Sequence, residues 1–198
     1  MTVGTPRTWA SADALTAALA NAEFRDQFIA EYGPPTGRLW RTGANGPIVN
    51  SQTVGTLHTT FAAGNLMTFD QSLTNTWTGA MTTGSTPWSQ LTAPIDGIYE
   101  ADGMNVWDGG TSPAYAALLV YNGATILDCE VRNQSFHSDI VGPSGITSSL
   151  GNPTCKVGTS IKMVAGDTVR LYGTQASGST KQMWGGSLLS LAWKGNLA

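Results

Sequence analysis

Ser160–Tyr172, SIKMVAGDTVRLY, decides the architecture. Ile161 and Met163 alternate with Lys162, and Val169 and Leu171 alternate with Thr168 and Arg170. A period of two sends apolar side chains to one face of a sheet and polar ones to the other. Between the arms, Val164-Ala165-Gly166-Asp167 supplies turn chemistry: glycine tolerates positive φ and aspartate bonds nearby backbone. The stretch predicts two short antiparallel strands and a tight turn. It holds no catalyst, and it argues for an all-β domain.

The same grammar recurs on both sides. Arg38–Arg41, Gln52–Phe61 and Asn65–Asp70 read as strands, and 71–90 as a Thr/Ser/Gly-rich loop holding Trp77 and Trp88. Gly97–Trp107, Tyr115–Asn122, Thr125–Arg132, Gly158–Met163, Thr168–Thr174 and Ser187–Trp193 follow as further strands. At least eight short strands separated by turn residues predict a sandwich or barrel rather than βαβ units.

The first 36 residues differ. Ser11–Tyr32 is expected to be one helix, with Ser11 as N-cap, Asp13 in its first turn and Gly33-Pro34-Pro35 as its stop. Leu15, Leu19, Ala22 and Ile29 form one apolar patch, with Phe24, Phe28 and Tyr32 as a second beside it. Together they exceed the ~100° stripe of an ordinary surface helix. One patch suits the chain's own domain; two imply a second partner. Residues 1–36 are therefore read as an attachment and oligomerisation arm, and 37–198 as the β domain.

Composition removes several function classes. The 198-residue chain is 41% hydrophobic but only 12% charged, with 24 glycines and a net charge of −3. No lysine precedes Lys156, so no basic stripe exists to replace phosphate counterions, and nucleic acid is not an expected partner. No apolar run approaches the ~20 residues of a membrane span. MTVGTPRTW lacks the apolar core of a secretory signal, so synthesis in a cytoplasm is expected. Cys129 and Cys155 would need adjacent strands to bring their Cα atoms ~5.5 Å apart to bridge. Cytoplasmic synthesis favours free thiols, and the sequence leaves the choice open.

Two resemblances add to this. Gly97-Ile98-Tyr99-Glu100, Leu118-Leu119-Val120-Tyr121-Asn122-Gly123, Ala165-Gly166-Asp167-Thr168-Val169-Arg170-Leu171 and the closing Leu188–Trp193 resemble the signature strands of complement/tumour-necrosis-factor-like jelly rolls. The likeness runs from about residue 38 to 195. Thr5-Pro6-Arg7-Thr8-Trp9, the helix reaching Arg25-Asp26, Pro34-Pro35 and Asn65–Asp70 resemble the start of minor tail proteins of phages infecting actinobacteria. The second resemblance implies a virion structural protein, trimeric and without enzymatic activity. Ala20-Asn21-Ala22-Glu23 departs from that group's pattern, which leaves the station on the particle open.

The expected protein is thus mainly β: a jelly-roll β-sandwich preceded by one N-terminal α-helix. Its expected role is that of a trimeric tail-tip or minor tail protein contributing to assembly and host-surface attachment. A capsid decoration protein and a glycan-binding receptor-recognition module are the alternatives. Leu15, Leu19, Phe24, Phe28, Ile29 and Tyr32 are the expected contacts with other copies or other virion proteins. Trp77 and Trp88, aromatics amid hydroxyls, are the expected contacts with a host glycan or a neighbouring subunit. No cofactor or metal is expected. His137-Ser138-Asp139 offers no third ligand or placed nucleophile, His58 stands alone, and the acids from Asp96 to Asp139 fit no calcium loop.

Overall fold

The computed structural model describes residues 33–43, 46–75, 81–82, 84–108, 114–133 and 153–195. The predicted helix at Ser11–Tyr32, Trp77 and His137–Asp139 lie outside them. Eleven strands are described: β1 Thr36–Trp40, β2 Ile48–Val49, β3 Gln71–Asn75, β4 Leu91–Thr92, β5 Gly97–Val106, β6 Ala114–Tyr121, β7 Thr125–Asn133, β8 Thr154–Met163, β9 Thr168–Gln175, β10 Lys181–Gln182 and β11 Leu188–Gly195. They form a five-stranded sheet, β3-β1-β11-β5-β8, a four-stranded sheet, β4-β9-β6-β7, and a small β10-β2 pair. Every pairing between these strands is antiparallel. The chain is a jelly-roll β-sandwich.

Alternation sets the core. Along β5, Gly97, Tyr99, Ala101, Gly103 and Asn105 turn inward while the residues between them face out. Tyr99 and Ala101 join Leu39, Leu189 and Leu191 of their own sheet and Tyr115, Ala117, Leu119, Val169 and Leu171 of the other in one buried cluster. β6 is buried along Ala114–Val120 without alternation, because both of its faces are covered. Its second face, Ala114, Ala116, Leu118 and Val120, packs with Leu57 and Tyr172 in a separate cluster. The covering segment runs through 51–66. Thr174 Oγ1 donates to the Leu57 carbonyl at 2.7 Å, and Gln175 Nε2 donates to the Val49 carbonyl at 2.9 Å, tying this segment and β2 to β9. The Phe61 and Tyr172 rings meet with centroids 4.7 Å apart. Burying Leu57 completely contributes on the order of 2 kcal/mol.

Three expectations are corrected here, the first being that Asn65–Asp70 is not a strand: Ala63–Asn65 is a 3-10 turn, and Leu66 and Phe69 make only isolated bridges. Gln52–Phe61 is not a strand: Val54–Thr56 forms a 3-10 turn that delivers Leu57 onto the four-stranded sheet. Residues 71–75, expected in a loop, form edge strand β3, whose polar sequence QSLTN reflects an edge with little core to face. The central stretch forms its two strands and its turn, but not a hairpin: β8 pairs in the five-stranded sheet and β9 in the four-stranded one, so the turn crosses from sheet to sheet. β8 and β9 flank a turn in which Gly166 has φ +97°, a value that favours glycine.

That turn is clasped to its neighbours. Asp167 accepts the Tyr121 hydroxyl at 2.5 Å, Asn122 Nδ2 at 2.9 Å and the Val164 N–H at 2.8 Å. Asn122, itself at φ 47°, returns a bond by accepting the Thr168 N–H at 2.7 Å. Asp96 accepts the Ala165 N–H at 2.8 Å. Three turns at one end of the sandwich are thereby held as a unit.

Candidate interaction face

The inward residues of the five-stranded sheet leave a second set pointing away from the core. Register places Trp40 opposite Leu188 and Leu188 opposite Met104, a row crossing β1, β11 and β5. None of the three belongs to either core cluster, and all three are part-exposed. Leu73 on β3 adds to the row diagonally and is 67% exposed. The contacts of these strands with strands outside their own sheet run to the four-stranded sheet, on the opposite side.

Away from this row the face becomes charged. Arg38 lies between Leu73 and Ser190, and Lys156 and Lys162 are exposed along β8. Lys194 pairs with Glu100 at 2.5 Å, both about half exposed. Such a pair is worth a fraction of a kcal/mol. Asp102 reaches over its cross-strand partner Gly158, where a Cβ would strike the carboxylate. Burial, then the Glu100 charge, pushes Asp102 above the usual carboxylate range despite Lys194.

One side of the sandwich is closed by charge. Asp128, Glu130 and Arg132 on β7 stand opposite Leu119, Ala117 and Tyr115, the core-facing residues of β6. Inward-pointing charges on an edge strand need polar partners, and they find them on the edge of the other sheet. Asp128 Oδ2 accepts the Gly158 N–H at 2.8 Å and Glu130 Oε2 accepts the Lys156 N–H at 2.5 Å. Arg132 Nε donates to Glu130 Oε1 at 2.8 Å. The carboxylates occupy β8 edge donors that another strand would otherwise use.

The cysteines lie on different sheets, Cys155 on β8 of the five-stranded sheet and Cys129 on β7 of the four-stranded one. Cys155 sits in the main core and Cys129 against the second cluster, and both are free thiols. Burial, with Asp128 and Glu130 nearby, pushes Cys129 up to about 11. Burial and Glu130 push Cys155 up to about 12. Neither is a ready nucleophile.

Of the residues expected to make contacts, Leu15, Leu19, Phe24, Phe28, Ile29, Tyr32 and Trp77 lie outside the described residues. Trp88 pairs its backbone with Phe69 in both directions, at 2.8 and 3.0 Å. Its ring packs against the main core while staying part-exposed, and its indole N–H is buried. His58 is exposed in a turn. Among the described residues, no three His, Cys, Asp or Glu side chains gather as metal ligands, and no helix is long and apolar enough to cross a membrane. The Trp40–Leu188–Met104 row escaped the sequence reading. Leu188-Leu189 and Leu39-Trp40 are apolar at both parities, so alternation alone does not say which member faces out.

The order and pairing of the strands give a jelly roll with a tumour-necrosis-factor-like fold. Among solved structures, the chain is similar to the Eiger TNF of S. frugiperda at 12% identity, over 82% of this chain and 94% of that one, with a TM-score of 0.50. It is also similar to murine APRIL (10% identity, 81% and 98% covered, TM-score 0.48) and to the globular domain of zebrafish complement 1qA (14%, 79% and 94%, 0.44). These likenesses are of fold. No protein-family model matches the chain, and no curated protein matches it in sequence.

Proposed function

We propose that this chain is a virion structural protein, a trimeric minor tail protein of a phage that serves assembly and host-surface attachment without catalysis. The assembly reading is carried by the apolar row Trp40, Leu188 and Met104 on the outward face of the five-stranded sheet. A domain that lives alone gains nothing from such a row, whereas a component of a larger particle covers it. The low charge of the chain fits a surface shared with neighbours. The N-terminal line from Thr5 to Pro35 and the resemblance it carries support the phage assignment. In this reading Leu15, Leu19, Phe24, Phe28, Ile29 and Tyr32 contact other copies or other virion proteins.

Light scattering on the full chain at micromolar concentration tests the oligomer: the expected mass is three times the 20.7 kDa of one chain. A monomer refutes the trimer. Antibody labelling of intact particles tests the location, with label at the tail tip expected and label confined to the head refuting a tail role.

A further inference from the structure

We infer that residues 53–64 are a strap that lifts as one unit from the outer face of the four-stranded sheet, latched by Leu57 and Phe61, and that lifting bares an apolar face of β6 and β9 while both sheets stay paired. The path of the chain is the first reason. β1 and β3 are antiparallel neighbours, with Trp40 opposite Gln71. A turn of about two residues can join such a pair. Here residues 41–70 join it: the chain leaves the five-stranded sheet, crosses to the far side of the four-stranded one and returns. The excursion starts and ends on partners about 5 Å apart, so its middle can move without pulling on either strand.

The way it is pinned is the second. Toward its ends, Val49, Met67 and Phe69 are fully buried in the main core. The Gln52 N–H donates to the Gln175 carbonyl and the Met67 N–H to the Leu171 carbonyl, both at 2.8 Å. Between those anchors the hold is slight. From Thr53 to Gly64, Leu57 is buried, Phe61 is part-buried and the rest are exposed. The backbone bonds of this span are internal: Thr56 donates to the Thr53 carbonyl, Leu57 to that of Val54, and Thr59 and Thr60 to that of Thr56. The described hydrogen bond that ties the span to the sheet is the one from Thr174 Oγ1 to the Leu57 carbonyl, at 2.7 Å. Segments with few buried contacts and self-contained backbone bonds open more readily than the core around them.

What lies beneath is the third. Leu57 and Phe61 pack with Ala114, Ala116, Leu118, Val120 and Tyr172, in a cluster that shares no residue with the main core. β6 gives one face to each cluster, so lifting the strap leaves the packing between the sheets whole. The outer side of the strap carries Thr53, Thr56, His58, Thr59 and Thr60, all exposed. Shut, this side of the molecule is polar; open, it is apolar. The inference goes beyond the virion reading and does not rest on it: a monomer in light scattering overturns the trimer and leaves the strap as it is.

Native-state hydrogen exchange of the full chain, followed at urea concentrations below the unfolding range, tests this. Amides of Thr56, Leu57, Thr59 and Thr60 are expected to share one opening constant, about 100-fold or more above that of the β5 and β11 amides, and one shallow urea dependence. A strap that opens only with the whole fold would show the constant and the steep urea dependence of β5 and β11. Unlinked fraying would show four separate constants with no urea dependence. Either result overturns the inference. Leu57→Ala is expected to raise the shared constant about tenfold or more. Thr174→Val removes only the hydroxyl that holds the Leu57 carbonyl, and is expected to raise the same constant by a smaller factor. It carries the test should Leu57→Ala not fold, and a constant unmoved by substitution overturns the latch.

Discussion

Replacing Asp167 with alanine should loosen one end of the sandwich and leave the sheets in place. Its carboxylate accepts three hydrogen bonds: from the Tyr121 hydroxyl, from Asn122 Nδ2 and from the Val164 N–H. Bonds to a charged acceptor are worth about 1.5–3 kcal/mol each when buried. This site is only partly buried. Water replaces much of what is lost, so about 1 kcal/mol per bond is the better figure, or about 2–3 kcal/mol in all. For a chain of this length, that lowers Tm by about 5–10 °C.

The pH dependence gives a sharper test. Burial raises the Asp167 pKa, but the Asn122, Tyr121 and Val164 donors outweigh it and hold it below the usual carboxylate range. A carboxylate depressed in the folded state contributes stability that is full above its unfolded value of about 3.9 and is lost as pH falls through the folded one. Asp70 behaves alike. Burial raises it, and the Thr42 and Gly43 N–H groups, the Thr42 hydroxyl and the Arg41 charge pull it lower still. Asp167→Ala should therefore flatten, without abolishing, the fall in Tm between pH 5 and pH 3, while Asn122→Ala should couple to it by about 1 kcal/mol in a double-mutant cycle. Thermal melts followed by circular dichroism measure both. A Tm within 1 °C of the unsubstituted chain at pH 7, together with an unchanged acid limb, refutes the clasp.

Three further outcomes follow from single positions. Gly97→Ala should cost about 1–3 kcal/mol in a urea titration, because a Cβ there would collide with the Trp193 indole nitrogen and lie 2.7 Å from the Gly195 carbonyl. Asp102→Asn should raise Tm at pH 7, since a carboxylate whose pKa is raised by folding destabilises the folded state once it is ionised. That gain should vanish at pH 3, where the native residue is protonated too. Asp128→Asn with Glu130→Gln should speed hydrogen exchange at the Lys156 and Gly158 amides about tenfold. Unchanged exchange would mean that those donors are protected by something other than the carboxylates.

The strands that sequence made visible are those whose two faces meet different surroundings. β5 alternates because its sheet has a core on one side only, and the turn at Gly166 is legible because few residues other than glycine take its φ. Legibility fails where that contrast is missing. β3 is an edge strand with little to bury, so QSLTN looks like a loop. Gln52–Phe61 alternates loosely, yet it forms a covering turn whose apolar residues Leu57 and Phe61 are four apart and serve one cluster. Gly97 in the Gly97-Ile98-Tyr99 motif gains a reason that sequence does not carry: the Trp193 ring occupies the space a side chain would need, across a pairing 96 residues distant. The seal by Asp128 and Glu130 was hidden in the same way, since acids on a strand look solvated until the neighbouring sheet edge is in place.

The sandwich closes its other described surfaces with its own residues. The outer side of the four-stranded sheet is covered by the chain's own Leu57, Phe61 and Leu66. The side formed by β7 and β8 is occupied by carboxylates, which discourage strand addition. One end is clasped through Asp167, and the other is capped where Met183 donates to the Pro47 carbonyl at 3.0 Å and Asp108 to the Gln182 carbonyl at 2.8 Å. The exposed apolar residues Ile48, Val54, Val131 and Val164 sit on four separate elements, a scatter that any soluble surface tolerates. Trp40, Leu188, Met104 and Leu73 instead stand side by side on adjacent strands. Single exposed side chains cost little to leave in water, whereas a contiguous row rewards whatever covers it in proportion to its area. Covering that row, by a neighbour in the proposed assembly, would therefore stabilise a complex more than covering any one of the scattered residues.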